Sequence, residues 1–246
     1  MTRPILYSFR RCPYAMRARM ALMHCGAQCI LREVSLKNKP AQMLEASSKG
    51  TVPVLILKAV ENGESKASSD INATQKNNHV IDESIDIMRW AMNENPSRDV
   101  QNAKAWQTSE TMSASEIDAL IYQNDFEFKD QLDKYKYSDR HPEHPQHFYL
   151  DQAMPFLEQL ENRLTQSPYL GGNEFGFPDA AILPFIRQFS MVEPKTFAGL
   201  ALPNTQQWIA QGLKSDLFVS VMTKYSLWHA QGDEEPIVFG RESWFV

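Results

Sequence analysis

The sequence changes character at residues 10–22, which read RRCPYAMRARMAL. The run ILYSF just before them is typical of a short strand, because its residues are mostly apolar or aromatic and charged residues follow at once. After Pro13, methionines recur at the spacing of one helical face: Met16, Met20 and Met23. Proline is favoured at the first position of a helix. The pattern therefore predicts a strand that ends before Cys12 and a helix that begins at Pro13.

Two regions of different pattern make up the chain. Residues 1–95 alternate between strand and helix in the order βαβαββα, which predicts an α/β domain. Residues 96–246 carry helical spacing, with no convincing strand before the last few residues, and this predicts an all-helical domain. The polar segment 59–78, between the last two predicted strands of the first domain, is poor in apolar residues and is expected to form a loop.

The composition is that of an ordinary globular protein, with 43% hydrophobic and 22% charged residues in 246. A net charge of -5 argues against nucleic acid as a partner. No apolar run is long enough for a membrane span, and the N-terminus lacks the pattern of a secretory signal, so we expect a cytoplasmic protein with no membrane partner. The histidines of HPEHPQH, residues 141–147, are separated by prolines and lack zinc-type spacing, so we expect no metal site.

Cys12 is the candidate nucleophile. The expected N-cap position places it among unpaired N–H groups at the positive end of the helix dipole, where an anion is favoured. Four arginines add positive charge nearby: Arg10, Arg11, Arg17 and Arg19. Together these effects predict a thiol pKa below its ordinary value of about 8.5 and therefore a reactive thiolate.

No second cysteine is placed to close a disulfide with Cys12. Position 15 is alanine, so the chain has no CxxC pair. Cys25 follows at the far end of the predicted helix, roughly 20 Å away at the helical rise, whereas bridged Cα atoms lie within about 7 Å. An odd count of three cysteines fits a reducing compartment. We expect packing roles for Cys25 and Cys29.

Three strings in this order resemble the glutathione transferase superfamily: CPYA after the first strand, TVPVL before the third strand and DESIDI at the third helix. YSFRRCPYAMRARMAL and VSLKNKP are most similar to its cysteine-type, omega-like (glutaredoxin-like) classes. The resemblance covers essentially the whole chain. It implies a thioredoxin-like N-terminal domain, residues 1–95, followed by an all-helical substrate domain, residues 96–246.

The chain departs from the superfamily pattern at two places. The segment 59–78 lengthens the connection between the last two strands, which leaves the access of substrate open. Gly176 stands where a serine or threonine usually caps a helix of the second domain. Glycine is a tolerable cap and Asp179 can still reach back to it, so we expect this helix to form with a weaker cap.

The resemblance also implies roles for individual residues. Cys12 matches the catalytic cysteine, which forms a mixed disulfide with glutathione. Pro53 matches a cis-proline that lets the backbone of Val52 pair with the tripeptide like an added strand. Glu83 and Ser84 match the pair that binds the γ-glutamyl end, with Ser84 at the carboxylate and Glu83 at the ammonium group.

Three further residues keep more than one interpretation. Lys39 matches a lysine that pairs with the glycyl carboxylate of glutathione, although an ordinary solvated lysine explains KNKP equally well. Tyr14, next to Pro13, is expected to shape the glutathione site. Tyr7 leaves open a tyrosine-type mechanism, in which a hydroxyl group stabilises the glutathione thiolate, and core packing is its other interpretation.

These residues favour a glutathione-dependent thiol transferase that works through a glutathione mixed disulfide on Cys12. Glutathione is the co-substrate, and the partner is a small disulfide or another oxidised acceptor. Two alternatives stay open: a conjugating transferase, in which bound glutathione attacks an electrophile, and a non-catalytic glutathione-binding adaptor. The resemblance implies a homodimer, although some cysteine-type members are monomers.

Overall fold

A computed structural model describes residues 3–58, 78–95, 99–230 and 235–240. These residues form two compact units. The first unit runs to Ala103 and takes up the chain again from Ser220, and the second unit is Lys104–Val219. Except for Asn78, the predicted polar loop at 59–78 lies outside the described residues.

The described part of the first unit holds a mixed sheet of five strands. The strands are β1 (Ile5–Ser8), β2 (Cys29–Glu33), β3 (Val54–Leu57), β4 (His79–Ile81) and β5 (Val238–Phe239). Their spatial order is β4-β3-β1-β2-β5, in which β1 and β2 are parallel and the other neighbours are antiparallel. The helices α1 (Pro13–His24), α2 (Ala41–Ala46) and α3 (Ser84–Asn93) alternate with them. The predicted order βαβαββα and the thioredoxin-like fold are confirmed.

Strand β5 makes the structure differ from the predicted division at residue 96. Val238 pairs with Ile30 and Phe239 with Cys29, and the Leu31 N–H donates to the carbonyl of Ile237 at 2.8 Å. The end of the described chain thus belongs to the sheet of the first unit. A strand of two residues carries no readable alternation, because the side-chain period of a strand is itself two residues.

A hydrophobic cluster of the first unit joins the sheet to α2. Its buried members are Tyr7, Val34, Met43, Val52, Val54 and Ile56. Phe9 and Cys12 are partly buried and pack against this cluster. Helix α1 packs against α3, and its predicted methionine face is buried. The turn between β1 and α1 therefore lies at the edge of a closed core.

The second unit is helical in its described residues. The helices beyond α3 are α4 (Val100–Gln107), α5 (Ala114–Tyr122), α6 (Lys129–Lys136), α7 (Gln146–Leu164), α8 (Phe177–Ser190), α9 (Pro194–Ala198), α10 (Pro203–Lys214) and α11 (Asp216–Val221). A π-helical turn, Gln123–Phe128, joins α5 to α6. The ring of Phe128 lies 4.9 Å from that of Phe156 and 5.5 Å from that of Phe189, which builds an aromatic centre. None of the helices described is both long and apolar enough to cross a membrane.

Gly176 is the N-cap of helix α8, as expected, and Asp179 supplies the capping side chain. The Gly176 N–H donates to Asp179 Oδ2 at 3.0 Å. Asp179 Oδ1 accepts from the Leu170 N–H at 2.9 Å and from Trp208 Nε1 at 2.8 Å. Burial raises the pKa of this carboxyl to about 6, although the N–H donors act in the opposite direction. The prediction that Asp179 reaches back is confirmed, and the same carboxylate also ties α8 to α10.

Candidate active site

Cys12 is the N-cap of α1, in extended conformation at φ -78° and ψ 123°. Its N–H donates to the carbonyl of Phe9 at 3.0 Å, which closes the turn that follows β1. Pro13 occupies the first turn of the helix, where its missing N–H leaves no bond unmade. The local sequence therefore places the thiol at the positive end of α1, as predicted.

The structure brings Cys12 together with Val52. The Cys12 thiol donates to the carbonyl oxygen of Val52 at 3.6 Å, across 40 positions of sequence. The Val52–Pro53 peptide bond is cis. The predicted nucleophile and the predicted backbone for pairing with a peptide thus lie at the same end of the neighbouring strands β1 and β3.

Ser84 and Glu83 begin α3, and their surroundings are very different. Ser84 is buried, whereas the side chain of Glu83 is 63% exposed. Lys49 Nζ lies 2.5 Å from Glu83 Oε1 and 3.0 Å from Asp82 Oδ1. The pKa of Lys49 is raised by its hydrogen bond to Glu83 and then by that to Asp82. Lys49 was not predicted, and it pairs with Glu83, the carboxylate that the resemblance assigns to the ammonium group of glutathione.

Arg17 is a second residue whose contacts within the site were not predicted. Its Nε donates to Ser84 Oγ at 2.9 Å, and the Tyr14 ring lies 5.0 Å from its guanidinium carbon. Tyr14 is partly buried. Arg17 thus connects the two predicted site residues Tyr14 and Ser84. From the sequence it was expected only to add positive charge near Cys12.

Lys39 is exposed on the connection between β2 and α2. Its Nζ lies 3.8 Å from the point where a Cβ on Gly50 would stand, and Gly50 comes two residues before Val52. Lys39 also lines a cavity of about 350 Å³, whose other walls include Pro40, Trp228 and His229. The amino group of Lys39 is therefore near the segment that leads to Val52. A lysine that binds the glycyl carboxylate of a tripeptide paired with Val52 would have to lie near this segment.

The turn before Cys12 is held by Glu33 of β2. The Arg10 N–H donates to Glu33 Oε1 at 2.6 Å, and Arg19 Nη2 lies 2.5 Å from Glu33 Oε2. The Arg19 side chain is fully buried, and burial lowers its pKa against the opposing effect of Glu33. Two of the arginines predicted to surround the thiol, Arg17 and Arg19, therefore have polar partners of their own, and Glu33 was not predicted.

Tyr7 lies in the hydrophobic cluster of the first unit. The side chain is buried, and its hydroxyl oxygen accepts a hydrogen bond from Arg32 Nη1. Burial raises the pKa of Tyr7, with Arg32 opposing. The ring of Trp228 meets that of Tyr7 edge-on at 5.8 Å. These contacts agree with the packing interpretation.

The other two cysteines are buried thiols. None of the three cysteines forms a disulfide. Burial raises the pKa of Cys25 and of Cys29 to about 12, so both stay protonated at neutral pH. Among the residues that the structure describes, no group of three or more histidine, cysteine, aspartate or glutamate side chains is arranged to hold a metal ion. The thiol of Cys12 differs from both in its exposure and in its place at a helix N-terminus.

Comparisons with known proteins match both halves of the chain. Family models for the glutathione S-transferase N-terminal and C-terminal domains match residues 11–94 and 119–211. The fold is similar to poplar glutathione transferase F1, at 17% identity and a TM-score of 0.67, over 90% of this chain and 97% of that one. It is also similar to a Burkholderia graminis glutathione transferase with two glutathione molecules bound per subunit, at 16% identity and a TM-score of 0.68, over 89% and 87% of the two chains. No curated protein matches the sequence.

Proposed function

Because this chain belongs to the glutathione transferase superfamily of enzymes, we propose that it is a glutathione-dependent thiol transferase whose nucleophile is Cys12. One observation carries the proposal: Cys12 is the N-cap residue of α1, and its sulfur lies 3.6 Å from the carbonyl oxygen of Val52, the residue whose backbone would pair with the tripeptide. A thiolate at a helix N-terminus is favoured over the thiol, and the thiolate is the species that attacks disulfides. The other cysteines are buried with raised pKa values, which leaves Cys12 as the reactive sulfur.

The proposed cycle has two thiol–disulfide exchanges. The Cys12 thiolate attacks the glutathionyl sulfur of a mixed disulfide between glutathione and an acceptor. A Cys12–glutathione disulfide forms, the original S–S bond breaks, and the acceptor leaves as a thiolate that takes a proton from water. The thiolate of a second glutathione then attacks the glutathionyl sulfur on Cys12. Oxidised glutathione is released and Cys12 returns to its thiolate.

The proposed glutathione site uses the residues around Cys12. The backbone of Val52 pairs with the tripeptide, Ser84 binds the γ-glutamyl carboxylate, and Lys39 binds the glycyl carboxylate. The γ-glutamyl ammonium competes with Lys49 for Glu83, and Lys49 keeps Asp82 as its partner. Exposed ion pairs contribute little net stability, so this exchange of partners has a low cost. A Burkholderia relative that binds glutathione supports the ligand class.

The proposal includes a cytoplasmic location and a homodimer. A single-cysteine cycle needs a reducing compartment, where reduced glutathione is abundant, and three cysteines without a disulfide agree with such a compartment. The homodimer is proposed because it is the common oligomeric state in the superfamily.

Intact mass spectrometry tests the proposal directly. The protein is incubated with oxidised glutathione, and the sample is then treated with reduced glutathione. We expect one glutathionyl adduct on the wild type and none on Cys12→Ala. The matched control is Cys25→Ala, which removes one sulfur from the opposite end of α1 and should still carry the adduct. Reduced glutathione should remove the adduct. A Cys12→Ala variant that keeps its thiol-transferase activity contradicts the mechanism, and conjugation of aryl halides that survives this substitution favours the conjugating alternative.

A further inference from the structure

Arg17 of α1 and Ser84 of α3 form a buried polar pair at the start of α3. Arg17 is 2% exposed and Ser84 is 3% exposed. Arg17 Nε donates to Ser84 Oγ at 2.9 Å, so the pair joins two helices across 67 positions of sequence. Burying a guanidinium group is costly unless polar groups surround it, and the Ser84 hydroxyl is one of those groups.

The chemistry of the two groups fixes the direction of the hydrogen bond. A guanidinium has N–H donors and no acceptor, whereas a hydroxyl has one proton and two lone pairs. Ser84 therefore accepts from Arg17, and its own proton must point elsewhere. A hydroxyl that accepts from a charged donor is polarised and becomes a better donor itself. Arg17 thus turns Ser84 into an oriented hydroxyl donor.

The oriented donor lies where an anion is favoured. Ser84 is the first residue of α3, a helix of ten residues, whose first N–H groups have no partner within the helix. The charge of Arg17 adds to the positive end of the helix dipole. The Tyr14 ring, 5.0 Å from the guanidinium carbon, restrains the plane of the guanidinium by a cation–π contact.

We infer that Arg17 is a positioning residue, which orients the Ser84 hydroxyl to donate to the γ-glutamyl carboxylate of glutathione. The inference rests on the proposed function, because that function places glutathione at Ser84. Arg17 acts through Ser84, and Tyr14 acts through Arg17.

Binding of S-methylglutathione tests the inference, because this ligand cannot form a disulfide and its affinity does not depend on the chemistry at Cys12. Isothermal titration calorimetry gives Kd for the wild type, Arg17→Lys, Ser84→Ala and the double variant. We expect Arg17→Lys to weaken binding about tenfold, as the loss of one charge-assisted hydrogen bond does. In the Ser84→Ala background the same substitution should change Kd less than about twofold, since the hydroxyl that it orients is gone.

Arg19→Lys is the matched control. Arg19 is buried on the same helix, two positions away, but its partner is Glu33. Its replacement should lower the thermal midpoint, and any change in Kd for S-methylglutathione should be equally large with and without the Ser84 hydroxyl, because Glu33 holds the turn before Cys12 and does not contact Ser84. Should Arg17→Lys fail to fold, Arg17→Gln keeps an N–H donor without the charge and is measured in the same cycle.

The possible failures are distinguishable. Unchanged affinity in both Arg17 variants overturns the inference and leaves the proposed function intact. An Arg17 effect that persists undiminished without the Ser84 hydroxyl also overturns it, because the arginine then acts by another route. A wild type that does not bind S-methylglutathione overturns the proposed function, and the inference with it.

Discussion

Asp179 should contribute several kcal/mol to the stability of the helical unit, and Asp179→Ala tests this. The carboxylate accepts from three N–H groups, those of Leu170, Gly176 and the Trp208 indole. Leu170 and Trp208 are both 1% exposed, so their N–H groups cannot turn to water when the carboxylate is removed. Gly176 is partly buried, and water can replace its partner.

The magnitude follows from the two buried donors. Each buried N–H left without an acceptor costs about 1–3 kcal/mol, so the two together lower the free energy of unfolding by about 4 kcal/mol. For a protein of this size, about 2–4 °C of thermal midpoint corresponds to each kcal/mol, which gives a decrease of about 8–16 °C. The Trp208 indole loses its hydrogen bond as well, so its fluorescence should change in the native state.

Thermal unfolding followed by circular dichroism at pH 7 measures the effect, with Gly176→Ser as a control of opposite sign. A Cβ at Gly176 would lie 3.6 Å from the nearest atom, Pro178 Cδ, so a serine fits without strain. Its hydroxyl supplies the missing cap and its side chain reduces the freedom of the unfolded chain, which should raise stability by about 0.5–1 kcal/mol. A loss below about 1 kcal/mol in Asp179→Ala would refute the reasoning that its partners are stranded.

Three further predictions concern buried groups. Burial raises the pKa of Asp179 to about 6, so the stability that its protonation contributes is fully present below the ordinary aspartate pKa and is lost as pH rises through 6. The thermal midpoint of the wild type should therefore exceed that of Asp179→Asn by more at pH 5 than at pH 7.5. An equal difference at the two pH values would contradict the raised pKa. An aromatic disulfide reagent at pH 8 should react rapidly with the Cys12 thiol of the native protein and with all three thiols after denaturation, because burial raises the pKa of Cys25 and of Cys29 to about 12. Rapid reaction of a second thiol in the native protein would contradict the burial of these two cysteines. Glu33→Gln should lower the free energy of unfolding by about 3–5 kcal/mol, because it leaves the Arg19 charge buried without its anion. A thermal midpoint equal to that of the wild type would show that this ion pair contributes nothing to stability.

The elements around Cys12 could be predicted because their signals are local. A strand, a cysteine, a proline and a methionine face follow one another within about twenty residues, and each constrains the next by its backbone preference alone. Local rules of this kind need no knowledge of the tertiary structure.

The contacts that finish the site could not be predicted because they join distant parts of the chain. Arg17 meets Ser84 across 67 positions and Lys49 meets Glu83 across 34. A charged residue in a sequence carries no signal of its partner, so the arginines near Cys12 could only be counted as positive charge. The geometry shows instead that Arg17 and Arg19 serve different acceptors.

The pairing of β5 with β2 has a consequence for how the protein is made. Ile30 and Val238 are 208 positions apart (238 - 30), so the β2 edge is paired with β5 only after 208 further residues have been synthesised. At about 5–20 residues per second, that interval lasts roughly 10–40 s. During it, β2 presents unpaired backbone groups to other nascent chains, which is the condition that favours aggregation between sheets. Strand β5 therefore covers an edge of β2 that stays unpaired until residue 238 has been synthesised.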